Sequence, residues 1–345
     1  MAIGHDALLL NTASNNTAVG FGNLESNTSG TNNTAVGKGA LGSNTTGTNN
    51  VAIGLNALVT NTTSDDNVAV GNYALNSQTG GSSNKNVAVG YTALYDLTTG
   101  QQNVAIGYAA GANIIAASDN TAIGHQALTT ETGGQNNVAV GTNALRLQVN
   151  SSGNIYNTAV GSKAGESVTT GTENTYIGGQ AADAATTGAQ NVAVGQSALG
   201  ALTTGSFNVG VGKSSLGSIT TTSNNTAVGK SALGASTESN GTAIGYHTLL
   251  YNTGGANTAV GSLAMQGVSG SSTGANNVAM GYAALYDLTT GTQNTALGFL
   301  AGENITTGTN NVAVGYDSLK TNTTTNDNVA VGSNTLKDQN GGNGS

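Results

Sequence analysis

Three histidines, His5, His125 and His247, are the side chains best suited to moving protons near neutral pH, and they stand many repeat units apart. General acid–base catalysis needs titratable groups that converge on one reacting centre. Nothing in the spacing brings these together, so the sequence assigns no catalytic residue and reads as that of a non-enzyme. The acidic residues are equally dispersed; the densest pair, Asp65 and Asp66, reads as a solvated turn. Cysteine is absent, which excludes disulfides and thiolate metal sites, and no metal ligand set or cofactor is assigned. The many glycines lack the Lys-Ser/Thr partner and following helix of a phosphate-binding loop. What remains is aromatic chemistry. Tyr91 and Tyr108, then Tyr282, Phe299 and Tyr316, occupy one position in successive repeats, and Tyr95 and Tyr286 recur in the related strings 91–96 and 282–287. Such rings pack on a sugar face or anchor an interface, or stack on one another and stiffen the array. Tyr91, Tyr108, Tyr282, Tyr286, Phe299 and Tyr316 are therefore the candidate surface-binding residues.

These aromatics are held by a repeat whose core is Asn33-Thr34-Ala35-Val36-Gly37, followed by Ala40-Leu41 and Thr45-Thr46-Gly47. The closing glycine returns about every 17 residues, about 20 times in all, which is the signature of a solenoid. Within each pentad the β-branched residues fall at the second and fourth positions, as in Val51 and Ile53 or Val104 and Ile106. Alternation of this kind predicts a short strand with those residues on one face and Asn, Ala and Gly on the other. The small opposite face would let another backbone or sheet approach closely.

Stacking one repeat per coil turns each position into a column. Asn33, Asn50, Asn67, Asn103 and Asn120 belong to a structural Asn ladder that is interrupted at Gly241. Several asparagines also fit the glycosylation pattern, but their spacing follows the fold. Leu41, Leu58, Leu75 and their equivalents form the main apolar seam. Where Gly111, Gly165 or Gly302 replaces the Leu, an apolar residue appears three positions on, at Ile114, Val168 or Ile305, which keeps the volume constant. The expectation is an all-β parallel β-solenoid, or β-roll, forming an elongated rod of roughly 95 Å at about 4.8 Å per coil. Residues 1–337 read as one repeat array and 338–345 as a flexible tail. Met1-Ala2-Ile3-Gly4 falls inside a pentad, as though the chain starts in mid-repeat.

The charged content of 7% and the aromatic content of 4% leave no conventional core of large side chains, so stability must come from columns and backbone hydrogen bonds. A net charge of −8 argues against nucleic acid and anionic membranes as partners. No apolar run reaches the roughly 20 residues of a membrane span.

The longer string 33–47 resembles the repeats of phage and bacterial tail-fibre-domain proteins, and the pentad resembles the β-roll heads of trimeric autotransporter adhesins. The resemblance covers nearly the whole chain. It implies a homotrimeric extracellular fibre, on a cell surface or virion, that binds a surface glycan or protein receptor. Repeats of small side chains give an independent reason for association with other copies. Two alternatives come from the repeat itself. One is a filament or surface layer built by end-to-end stacking, and the other an ice-binding solenoid using Thr columns.

Overall fold

The computed structural model describes residues 1–80 and 84–338; apart from Asp338, the expected C-terminal tail lies outside them. Each pentad forms a strand, and among the described residues there is no helix. The chain is an all-β parallel β-solenoid divided into two compact units, Met1–Asn174 and Thr175–Ser345. In the first, strands from Ala2–Ile3 to Thr158–Val160 pair in parallel with their sequence neighbours. The second runs in the same way from Thr175–Ile177 to Val329–Val331. Register is set by the repeat, so that Thr34, Ala35 and Val36 lie beside Val51, Ala52 and Ile53. A slip of one residue would turn the β-branched pair inward and the alanine outward.

The faces divide by size. The strand alanines, such as Ala35, Ala52 and Ala69, are fully buried. They face the chain's own Leu column: at Gly210, which takes the alanine position, an added Cβ would meet Leu199 Cγ at 3.4 Å and Leu216 Cδ1 at 3.5 Å. The small face is thus closed by the same chain, and no second sheet is needed to cover it. The β-branched pair points outward and stays half-exposed; Ile53 and Ile106, for example, each keep 39% of their surface.

The turn after each strand alternates left-handed residues, as at Gly37 (φ 132°), Gly39 (φ 70°) and Leu41 (φ 52°). A left-handed conformation costs a non-glycine residue roughly 1–2 kcal/mol. Complete burial of the Leu side chain returns about 1.5–3 kcal/mol, and its N–H also donates to the next coil, Leu41 N to Ala57 O at 3.1 Å. The balance favours the kinked turn, and the strain is offset coil by coil.

A second inner column lies three residues beyond the Leu. It is polar at Asn27, Asn44, Asn61 and Gln78, apolar at Leu97 and Ile114, and polar again at Glu131 and Gln148; all of these are fully buried. The polar members bond to one another, Asn44 Nδ2 to Asn27 Oδ1 at 2.7 Å and Asn61 Nδ2 to Asn44 Oδ1 at 2.9 Å. The Gly-for-Leu coils fit into this column. A Cβ at Gly111 would lie 3.1 Å from both Ile114 Cδ1 and Leu94 Cδ2, so Ile114 occupies space that a Leu at 111 would claim. The coil that carries buried Tyr176 at an alanine position has Ala182 and Ala185 where other coils carry larger residues, which conserves volume in the same way.

The pentad glycine is held for two reasons at once. At Gly71 φ is 135°, and an added Cβ would stand 2.4 Å from Gly90 O in the next coil. Gly153 has φ 94° but no neighbour within 4 Å. Gly71→Ala is expected to cost about 3 kcal/mol or more, combining strain with a backbone clash, and Gly153→Ala only about 1 kcal/mol. Urea denaturation of the two variants checks the difference.

Candidate functional site

The Asn column is an internal site. Asn33, Asn50, Asn67, Asn103 and Asn120 are at most 1% exposed. Each side-chain oxygen accepts the backbone N–H of the equivalent Asn one coil on: Asn50 N donates to Asn33 Oδ1 at 3.0 Å and Asn67 N to Asn50 Oδ1 at 3.0 Å. Asn103 N and Asn120 N make the same bond to Asn86 Oδ1 and Asn103 Oδ1, at 2.9 and 3.1 Å. The side-chain nitrogens of Asn33, Asn50, Asn103 and Asn120 donate forward to the turn, as from Asn33 to Gly47 O at 2.8 Å and from Asn103 to Ala117 O at 2.9 Å, whereas that of Asn67 donates to Asp65 O at 3.0 Å. One amide therefore satisfies buried backbone groups at both ends of a coil, where an orphaned donor or acceptor costs about 1–3 kcal/mol.

At Gly241 the ladder lacks a side chain, and a carboxyl group takes its place. Gly241 N still donates to Asn225 Oδ1 at 2.8 Å. Beyond it, Asn257 Nδ2 donates to Glu238 Oε2 at 3.3 Å. A Cβ at Gly241 would lie 2.7 Å from Glu238 Oε1, so the absence of a side chain at 241 is what lets Glu238 fold inward. Burial of this carboxyl, opposed by the Asn257 bonds, pushes its pKa up to about 8. The other buried glutamate has a different environment. Glu131 Oε1 accepts the N–H groups of Thr132, Gly133, Gly134 and Asn150 at 2.8–3.1 Å, and Oε2 accepts Gln148 Nε2 at 2.7 Å. Glu131 stands in the inner column three residues beyond Leu128, whereas Glu238 carries no sequence signal, since it depends on which way a turn residue points.

On the outside, the residue after each pentad glycine forms a third outward column beside the β-branched pair. Tyr91 stacks on Tyr108 with centroids 5.6 Å apart, and Tyr108 stacks on His125 at 5.1 Å. In the second unit Tyr282, Phe299 and Tyr316 stack at 5.2 and 5.7 Å. All five of these Tyr and Phe rings keep 46–51% of their surface. Stacking decides what they offer. Tyr108 and Phe299 have both ring faces covered and present only edges to solvent, whereas the rings at the ends of each stack keep one face open. Tyr286 is half-buried and lies outside the stack. His125 completes the first stack, and its place in the column after the glycine was a readable signal. His5 follows Gly4 in the same column and stacks on Phe21, whereas His247 lies one residue out of it, stacked on Tyr246. Among the described residues no group of three or more His, Asp or Glu could hold a metal ion.

Around these rings the charge distribution is one-sided. None of the 16 Asp and Glu residues falls at the three outward strand positions, while Lys38, Lys213 and Lys230 do. Lys38 and Lys230 lie over the rings of Phe21 and Tyr246, at 5.9 and 5.6 Å. The strand face carries Thr, Val and Ile side chains, aromatic rings and a few lysines, and is weakly cationic on a chain of net charge −8.

The raised Glu238 pKa makes a signed prediction. The folded chain holds this proton between the ordinary carboxyl value of 4.5 and about 8. Its contribution is therefore fully present below pH 4.5 and is lost as pH rises through about 8. The unfolding free energy of wild type minus that of Glu238→Gln is expected to fall across this window, and paired urea titrations at each pH measure it. No protein-family model matches the chain, and no curated protein matches it as a relative.

Proposed function

We propose that the chain is a structural and adhesive segment of an extracellular fibre, at a cell surface or on a virion. Copies of it pack through their strand faces, and the exposed aromatics along one edge of those faces bind a surface glycan or receptor. The observation that carries this reading is the acid-free, half-exposed strand face. Parallel sheets are normally covered on both sides. Here one side is covered by the coil interior and the other stands open. Ten strands at about 4.8 Å by three outward columns about 13 Å across give each unit a face of roughly 600 Å². Stable complexes bury about 800 Å² per partner, a scale that the open face of one unit approaches. A homotrimer agrees with the family resemblance and closes such faces around a common axis. Ice binding is the second reading, favoured by the Thr226, Thr242 and Thr258 column on adjacent paired strands; a thermal-hysteresis assay without activity removes it.

Light scattering on the purified chain is expected to give three times the 33.6 kDa chain mass. Val89→Glu with Ile106→Glu, which places carboxylates on the open face, is expected to yield single chains with an unchanged circular dichroism spectrum. A wild-type chain that stays single, or a double variant that still associates, contradicts the proposal.

A further inference from the structure

Tyr73, Tyr91, Thr92 and Tyr95 line a depression of about 380 Å³ in the first unit. That volume is at the small end of the range for small-molecule sites. Its geometry follows from the repeat. Tyr91 stands in the stacked column with one face against Tyr108. On its other side the preceding coil has Asn72 in that column, too small to continue the stack, and places a tyrosine one residue later. Tyr73 therefore meets Tyr91 edge-on, at 83° and 6.2 Å, which leaves part of the Tyr91 face open beside a perpendicular wall. Tyr95, 36% exposed, adds a third ring.

The polar groups of the depression are unused. The three phenol hydroxyls and the Thr92 hydroxyl make no hydrogen bond to other described residues, and none of the four lining side chains carries charge at neutral pH. An open aromatic face bordered by hydroxyls matches the C–H face and peripheral hydroxyls of a sugar ring, with no ionic group to recognise an acid or an amine. We propose that this depression is a binding site for a neutral pyranose at the end of a surface glycan. The inference deepens the adhesive half of the proposed function and rests on it. The second unit provides an internal comparison: Tyr282 and Tyr286 match Tyr91 and Tyr95, but Leu263 stands where Tyr73 does, so the perpendicular aromatic wall is missing.

Saturation-transfer NMR on the full chain, with the methyl glycosides of glucose, galactose, mannose and N-acetylglucosamine as probes, tests the site. Transfer to at least one glycoside is expected, strongest on ring C–H protons. Tyr73→Ala with Tyr95→Ala is expected to weaken that binding at least tenfold, and Phe207→Ala, which removes an exposed ring (57%) away from the depression, to leave it unchanged. Tyr73→Phe with Tyr95→Phe keeps the rings and removes only hydroxyls; a several-fold loss is expected, and this variant decides the matter if the alanine pair fails to fold. Absence of transfer to every probe, or unchanged binding in the Tyr73 and Tyr95 variants, overturns the proposal. A trimeric chain that binds no glycoside sinks this inference alone, and a single chain that binds one sinks only the packing half of the proposed function.

Discussion

The buried side-chain amide of one asparagine per coil is the interaction on which the solenoid depends. A 17-residue coil made of Gly, Ala, Thr and Ser buries little apolar area, so its turns must be held by hydrogen bonds that water cannot replace. The Asn oxygen accepts the N–H of the next Asn and the nitrogen donates to a turn carbonyl, as Asn33 does with Asn50 and Gly47. These are backbone groups that a ladder of three-residue strands leaves without partners. The exception at Gly241 makes the same point, because a carboxyl group fills the gap even though burial forces it to stay protonated near neutral pH.

With hydrogen bonding handled by the amides, the rest of the coil is an exercise in volume. Left-handed turns aim the Leu column at the strand alanines, and the second inner column alternates polar and apolar blocks without changing coil shape. The fold therefore places no demand on the outward strand positions beyond β-branching and the absence of charge repulsion. What those positions carry, uncharged methyl groups, stacked rings and a few lysines but no carboxylates, is available for contact with other molecules.

Much of this was legible in the residues. The 17-residue return of the pentad glycine and the Val51 and Ile53 type of alternation fix the strands and their parallel register, because period and pleat leave one solution, whereas which strand face turns outward depends on where the Leu column folds back. The aromatic column after the glycine was visible for the same reason. Other features were hidden because they depend on direction rather than spacing. The left-handed conformation of Leu41 is not encoded by residue type, since Leu ordinarily avoids it. Glu238 occupies a turn position that reads as solvent-facing, and only the backbone path turns it inward. Tyr73 sits one residue out of the column of Tyr91, so a search for repeats of one position passes over it, although the depression exists because of that offset.

The account stands or falls on the amide ladder, and residue-resolved hydrogen exchange reads it directly. The backbone N–H groups of Asn50, Asn67, Asn103 and Asn120 donate to side chains rather than to a strand partner. If those side chains hold the coils together, these amides will exchange as slowly as the strand amides beside them, Val51, Val68, Val104 and Thr121, and through the same cooperative opening. Fast exchange at the asparagines, with the neighbouring strand amides still protected, would contradict it.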